Sequence, residues 1–213
     1  MPLNPKYFAK FVPGEYYHVF NRTNGSHKLF RDDENYKFFL NKYEEYLSDF
    51  VDTYCFCLLP SHFHLLVKVK EEIGGNMPIY DSIAGQELTT IDISAQIDKL
   101  VVKRFKNFFI SYTMSFNKYH KRQGSLFNHR FKRILIQSDQ HLRQAVFYIH
   151  ANPVHHALTN SFITYRWSSY QALISGGTTK LKRSAVLDWF DGKDGFIIHH
   201  QLQKPTVDID LEE

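Results

Sequence analysis

The chain has 213 residues, of which 43% are hydrophobic and 16% aromatic, enough for a packed core. This composition excludes disorder as a description of the whole chain. At roughly 150 residues per domain, the length predicts one compact domain with an extension. No apolar run reaches the roughly 18 residues of a membrane span, and the start MPLNPKYFAKFVPG lacks the layout of a signal peptide. We therefore expect a cytoplasmic protein.

The net charge of +4 conceals a strong asymmetry along the chain. Residues 99–187 hold 15 Lys and Arg against one acid, Asp139, a balance of +14, whereas the remainder holds 11 against 21, a balance of −10. Such a segment is typical of a surface that binds a polyanion. A solvated basic surface without a partner is the alternative.

Hydrophobic periodicity predicts the order β-α-β-β-α-β, followed by a further helix. The strands are expected at residues 16–20, 51–59, 62–69 and 131–137. The first helix begins at Asp32 or Asp33, the second covers about 94–119, and the segment 71–92 reads as a loop. This order predicts a ferredoxin-like α+β fold, an antiparallel sheet with two helices on one face.

The additional helix begins at Ser138 or Asp139 and should end near Asn152, because the residue before a proline is disfavoured in the α region. We assign residues 1–153 to the main domain, whose last helix carries Tyr148. Residues 154–213 form a partly helical extension that packs on it, with a loose tail after about 203.

Two histidines follow the turn of the predicted hairpin. Strand residues two apart point to the same face, so His62 and His64 project side by side while Phe63 turns to the other face. Two neighbouring imidazoles can bind one metal ion. Two histidines on an open sheet face can equally be structural.

The additional helix has an apolar stripe with two polar residues beside it. The stripe consists of Leu142, Ala145, Val146 and Ile149. Tyr148 lies off the centre of the stripe, and Asn152, four residues on, falls within roughly 40° of it. The helix end therefore presents a phenol and a carboxamide together. The alternatives are core packing for Tyr148 and a helix C-cap for Asn152.

Several segments resemble the single-tyrosine HUH transposase family, nearest its REP-associated tyrosine transposases. TYCFCLLPSHFHLLVKVK resembles the family's hairpin, in which histidine, a hydrophobic residue and histidine follow a Pro-containing turn. YHVFNRTNGSHKLF resembles its first strand and loop, ISYTMSFNKYHKRQGSLFNHRFKRI its second helix and last strand, and YIHANPVHHAL its tyrosine helix. YRWSSYQAL is similar to a segment of the REP-associated branch, and the matches cover most of residues 16–173.

The resemblance implies a role for each of these residues. His62 and His64 would be metal ligands, Asn152 the third ligand, and Tyr148 the nucleophile that attacks a phosphodiester in single-stranded DNA. The product would be a 5′-phosphotyrosine linkage with a free 3′-hydroxyl. Ser61 stands where many relatives have asparagine, and Asn152 replaces the glutamine of the insertion-sequence type, which favours the REP-associated branch.

A divalent cation suits this chemistry. A tyrosine phenol, with a pKa near 10, is a poor nucleophile at neutral pH unless a base or a cation favours the phenolate. A cation on two imidazoles and an amide oxygen would polarise the scissile phosphate and neutralise developing charge. These ligands also suit Zn²⁺, but the resemblance favours Mg²⁺ or Mn²⁺.

The segment NKYHKRQGSLFNHRFKRI interleaves cations with aromatic rings. Cations follow phosphates, while rings can stack on unpaired bases. The predicted DNA contacts are Arg122, Arg130, Lys132, Arg133, Lys121 and Lys118. His155, His156, His199 and His200 are expected at the surface. Members of the family recognise short hairpins formed by single strands, which implies a hairpin-bearing single strand as the partner.

The predicted function is therefore a metal-dependent single-strand DNA transposase, an endonuclease and transesterase that uses Tyr148. The alternative is a DNA-hairpin-binding module that has lost transposition. A hydrolase of small phosphoesters is a weaker hypothesis, because it does not explain the +14 segment. Related enzymes can form a homodimer that places the tyrosine helix of one subunit against the histidines of the other, so cis and trans arrangements both stay open at this point.

Overall fold

The computed structural model describes residues 4–25, 27–73, 90–128 and 130–203, and within them four strands form one antiparallel sheet. The strands are β1 (Tyr16–Arg22), β2 (Val51–Leu59), β3 (His62–Val69) and β4 (Lys132–Ile136). Their order across the sheet is β2-β3-β1-β4, with β1 antiparallel to both of its neighbours. The predicted ferredoxin-like α+β fold and its four strands are confirmed.

Six α-helices occur in the described ranges. They are α1 (Asp33–Leu47), α2 (Thr90–Tyr119), α3 (Asp139–His155), α4 (Tyr170–Ile174), α5 (Arg183–Asp188) and α6 (Lys193–Leu202). Asp32 is the N-cap of α1 and Ser138 that of α3, and each side chain accepts a backbone N–H of the first turn. None of these helices is long and apolar enough to cross a membrane.

One face of the sheet is covered by α1 and α2. Residues such as Phe39, Phe108 and Tyr112 from the helices form one buried cluster with Phe63 and Leu65 from β3. Because side chains alternate along a strand, the residues next to Phe63 and Leu65 in β3 point to the opposite face. His62 and His64 are two of those residues.

The opposite face is covered by α3 together with α4–α6. Val146 and Ile149 of α3 pack in a second buried cluster with Leu66 of β3, and Tyr170 of α4 and Phe196 of α6 complete that cluster. The helices that follow α3 therefore share one buried cluster with α3 and the sheet. The packing of the apolar side of α3 on the sheet determines which α3 residues lie next to His62 and His64.

Two local predictions are corrected. The helix α3 does not end near Asn152 but continues through Pro153 to His155. Pro153 and the three residues before it are buried, and this packing outweighs the local preference against a helical residue before proline. The predicted loop at 71–92 is helical over its last three residues, Thr90–Asp92, and residues 74–89 of that loop lie outside the described residues.

Candidate functional site

The two histidines of β3 stand side by side on the α3 side of the sheet. His62 is the first residue of the strand, directly after the turn at Pro60 and Ser61. The ring centroids of His62 and His64 are 5.3 Å apart, with the planes at 83°. The predicted pairing on one face is confirmed, and it follows from the two-residue period of the strand.

In each of these histidines one ring nitrogen makes a hydrogen bond, and the other ring nitrogen has no hydrogen-bond partner among the described residues. His62 Nδ1 lies 3.0 Å from Ser61 Oγ, and His64 Nδ1 lies 2.9 Å from His18 Nε2. The Nε2 atoms of His62 and His64 are buried and have no hydrogen-bond partner among the described residues. A buried unpaired nitrogen costs free energy unless something binds it, and a ligand such as a cation could do so.

His18 on β1 also belongs to this group, although no sequence pattern predicted it. It is fully buried, and its ring lies 5.1 Å from that of His64 between centroids, with the planes at 19°. In the sheet His64 pairs with Phe20, so His18 is its diagonal neighbour. Only the register between β1 and β3 brings the two imidazoles together.

All three imidazoles are held in the neutral form. Burial lowers the pKa of His18 and of His62 to about 3, and for His62 the neighbouring His156 and Arg22 add to the effect. Burial also lowers the pKa of His64 well below its usual range. Desolvation disfavours the imidazolium, so these groups stay neutral at physiological pH. Neutral imidazole is the form that binds metal ions.

Tyr148 approaches these histidines from α3. Its ring centroid lies 5.7 Å from that of His64 and 5.8 Å from that of His18, edge to face in both cases. Its side chain is 2% exposed. The packing of Val146 and Ile149 on the sheet turns this side of α3 toward β3.

Asn152 lies one turn beyond Tyr148 and is fully buried. Its Nδ2 donates a hydrogen bond to the backbone oxygen of Tyr148 over 2.9 Å. Its Oδ1 has no hydrogen-bond partner within the described ranges. Since α3 continues to His155, the alternative of a C-cap for Asn152 is wrong.

A cleft of about 330 Å³ opens beside the two β3 histidines. Its lining includes His62, His64 and three cationic side chains. The cationic residues are Arg22, Arg130 and Lys132. Arg22 pairs with His62 across the β1–β3 ladder, which explains why a residue distant in sequence faces the same space. The arrangement is suited to an anion whose charge lies next to the imidazoles.

Two of the six predicted DNA contacts line the cleft, and the other four do not. Arg130 and Lys132 line the cleft, whereas Lys118 and Lys121 are exposed near the end of α2 and are not among its lining residues. Arg122 donates hydrogen bonds to Asn117 Oδ1 and to two backbone oxygens of the following turn.

Arg133 lies on the opposite face of β4 from Lys132. Its Nε donates to the backbone oxygen of Ala9, and its guanidinium lies 3.6 Å from Asp98 Oδ1. It also stacks over Phe11, 5.0 Å from the ring centroid. The structure thus surrounds Arg133 with protein partners on the α2 side of the sheet, away from the His62–His64 cleft.

The donor atoms present fit a divalent cation. His62 Nε2, His64 Nε2 and Asn152 Oδ1 are two imidazole nitrogens and one amide oxygen, all buried and without hydrogen bonds to described residues. No cluster of three or more His, Cys, Asp and Glu side chains suited to a metal occurs in the described part of the chain. Asn152 Oδ1 therefore adds an amide oxygen, the donor type that the resemblance implies as the third ligand.

The expectation that four later histidines lie at the surface is only partly met. His156 is exposed, and its ring lies 4.4 Å from that of His62 at the edge of the cleft. His200 is buried, with its Nε2 3.0 Å from His150 Nδ1, because α6 packs against α3. The prediction for His200 was wrong, since the partner of α6 could not be inferred from local sequence.

Comparisons with protein-family models and with curated proteins find no match to the chain. A solved structure of a REP-associated tyrosine transposase bound to a REP hairpin is similar in fold. The TM-score is 0.58 and the sequence identity 15%, and the match covers 84% of this chain and 88% of that one. At this identity the likeness demonstrates a shared fold, and residue roles have to be argued from the site itself.

Proposed function

We propose that this protein is a transposase-like enzyme that binds hairpin-bearing single-stranded DNA and, with Mg²⁺ or Mn²⁺, cleaves and rejoins it through a covalent bond to Tyr148. One observation carries the proposal. His62 and His64 line a cleft together with three cationic side chains, their buried Nε2 atoms have no hydrogen-bond partner among the described residues, and the Tyr148 ring lies against His64. The fold shared with a transposase solved on a DNA hairpin supports it.

Cationic side chains would bind the DNA backbone. Arg22, Arg130 and Lys132 line the cleft, and a phosphate placed there would lie beside the histidines. Contacts of this kind position a strand without reading its sequence. The proposed substrate is a hairpin-bearing single strand, as the resemblance of the sequence motifs implies.

The proposed reaction is a transesterification. The phenolic oxygen of Tyr148 forms a bond to the phosphorus as the bond from phosphorus to the 3′-oxygen breaks. The phenol loses its proton, and the departing 3′-oxygen gains one. Attack of a 3′-hydroxyl on the phosphotyrosine reverses these steps and rejoins the strand without an external energy source.

His62, His64 and Asn152 would hold the divalent cation. When bound, the cation would act as a Lewis acid on the scissile phosphate. The residues of the chain supply the rest: neutral imidazoles for binding, and a helix that keeps Tyr148 next to them. Asn152 Nδ2 donates to the backbone oxygen of Tyr148, so the Asn152 side chain is held against the turn of α3 that carries Tyr148.

A second candidate function is DNA-hairpin binding without cleavage. The observation that favours it is the burial of Tyr148, which is 2% exposed and is not among the residues that line the cleft. Cleavage therefore requires the Tyr148 side chain or the end of α3 to shift toward the phosphate when DNA binds. A pure binding module requires no such shift.

The test is to incubate the protein with labelled hairpin-bearing single strands and Mn²⁺ and to run a denaturing gel. Tyr148→Phe is compared with Tyr170→Phe, a matched control because Tyr170 is buried in the same core cluster but contacts α6. We expect a covalent band with the parent and with Tyr170→Phe, and none with Tyr148→Phe or with a chelator. Binding without a covalent band would favour the second candidate, and no binding would contradict both.

A further inference from the structure

Among the described residues the His18 side chain makes one hydrogen bond, which is with His64, and its Nδ1 is buried without a partner. The Nε2 atom of His18 lies 2.9 Å from His64 Nδ1, and both side chains are buried. A hydrogen bond between two neutral imidazoles needs one N–H donor and one lone pair. The direction of this bond therefore fixes the tautomer of both rings.

Only one direction is compatible with a cation on His64. If His18 Nε2 donates, His64 carries its own proton on Nε2, and that atom has no lone pair for a cation. If His64 Nδ1 donates to His18 Nε2, the lone pair of His64 Nε2 is available at the cleft. A partner on the far ring nitrogen of a metal-binding histidine commonly fixes its tautomer in this way.

The neighbouring ligand has the same arrangement. His62 Nδ1 lies 3.0 Å from Ser61 Oγ, which can accept its proton, and His62 Nε2 has no partner among the described residues. In both cleft histidines, Nδ1 contacts another side chain and Nε2 has no hydrogen-bond partner among the described residues. Ser61 at His62 and His18 at His64 can each accept the Nδ1 proton, and in both cases the Nε2 lone pair can then bind a cation.

The packing around His18 also restricts rotation of its ring. Its plane lies within 23° of the Phe20 ring and within 19° of the His64 ring, while the Tyr148 ring meets it edge-on at 74°. A ring held on these sides cannot turn its Nε2 away from His64 without displacing a neighbour. His18 is therefore a rigid hydrogen-bond partner.

We infer that His18 is a positioning residue that accepts the proton of His64 Nδ1 and thereby presents the His64 Nε2 lone pair to a divalent cation in the cleft. The inference rests on the proposed function for the cation itself. The tautomer of His64 can nevertheless be measured without it. His18 contacts neither the cation nor the DNA in this account, and it acts only through His64.

The test uses the full chain without DNA and compares three variants. His18→Phe removes the acceptor, His18→Gln retains an acceptor oxygen near the same position, and His200→Phe breaks another buried histidine pair outside the cleft. Mn²⁺ binding is titrated by electron paramagnetic resonance, and the tautomer of His64 is read from long-range ¹⁵N correlation spectra. Melting curves confirm that each variant is folded.

We expect His18→Phe to weaken Mn²⁺ binding by roughly 10- to 100-fold, the range found for lost outer partners of metal ligands. His18→Gln and His200→Phe should bind as the parent does. The parent spectrum, which needs no variant, should contain His64 as the Nδ1–H tautomer.

Two results would overturn the inference: His64 protonated on Nε2 in the parent, or parent-like Mn²⁺ binding by folded His18→Phe. A parent that takes up no Mn²⁺ would instead contradict the proposed cation site. The tautomer spectrum would still decide whether His64 donates to His18. The two failures are therefore distinguishable.

Discussion

Tyr148 on α3 lies edge to face against His64 on β3 of the same chain, with ring centroids 5.7 Å apart and planes at 83°. The contact is made because α3 buries its apolar stripe on the sheet of its own chain. Both halves of the candidate site, the β3 histidines and the tyrosine helix, therefore come from one polypeptide. Of the two arrangements that the sequence left open, we therefore expect the cis form.

The cis arrangement predicts that defective chains cannot complement each other. Tyr148→Phe retains the histidines, and His64→Ala retains the tyrosine. Each lacks half of the site, and an equimolar mixture should form no more covalent product with hairpin DNA than either variant alone. Parent protein diluted to half concentration is the control. Recovery of covalent product in the mixture would demonstrate a site shared between subunits.

Arg130 is expected to contact a phosphate, because it is exposed and lines the cleft. Arg130→Ala should weaken hairpin binding, and the slope of log affinity against log salt should become shallower by about 0.7, the value for one phosphate contact on a single strand. Fluorescence anisotropy over a salt series measures both effects. Lys118→Ala is the control, since Lys118 is exposed but lies outside the cleft lining. Equal effects of the two changes would contradict this assignment.

Arg133 is expected to stabilise the fold rather than to bind DNA. Its bonds to Ala9 and Asp98 tie the N-terminal segment to α2. Arg133→Met should lower the free energy of unfolding by about 2 kcal/mol, the scale of a lost charged hydrogen bond in a half-buried setting. Urea unfolding measures this loss. Hairpin affinity of the folded variant should equal that of the parent, and a folded variant with weakened binding would restore Arg133 as a DNA contact.

Buried histidines predict acid sensitivity. Burial lowers the pKa of His18, His62 and His200 to about 3, and the pKa values of His64 and His150 well below their usual range. Below pH 6.5 the unfolded chain therefore binds more protons than the folded chain, so stability falls as pH falls from about 6.5 toward 3. Each histidine contributes up to about 1.4 kcal/mol per pH unit in that window.

Urea midpoints measured from pH 8 to pH 4 test this dependence. The midpoint should be nearly constant above pH 7 and should decline steeply between pH 6 and pH 4. His200→Phe removes one of the titrating groups, so its decline should be shallower than that of the parent. A midpoint that does not change between pH 7 and pH 5 would contradict the neutral, buried state of these imidazoles.

Local rules predicted the parts of the site that lie within one element. The two-residue period of a strand places His62 and His64 together, and the helical period places Tyr148 near Asn152. The fold order followed from the same periodicities. These relationships need no knowledge of which elements pair.

The missed residues depend on pairing between elements. His18 and Arg22 join the site through the β1–β3 register, and no pattern within β1 reveals that register. Arg133 and Lys132 are adjacent in the sequence, and both are predicted DNA contacts. Side chains alternate along a strand, so the two lie on opposite faces of β4. The end of α3 was misplaced at Asn152 because tertiary packing overrides a local preference.

Peptide mapping of the covalent adduct identifies the residue that is bonded to DNA, and we expect that residue to be Tyr148. Trypsin cuts after Arg143 and Arg166, so one peptide of residues 144–166 contains both Tyr148 and Tyr165. Tyr165 is an internal control, because its hydroxyl donates to the backbone oxygen of Leu58 over 2.8 Å. Fragmentation should locate the nucleotide mass on Tyr148. Nucleotide mass on Tyr165 or on any other peptide would rule out Tyr148 as the nucleophile.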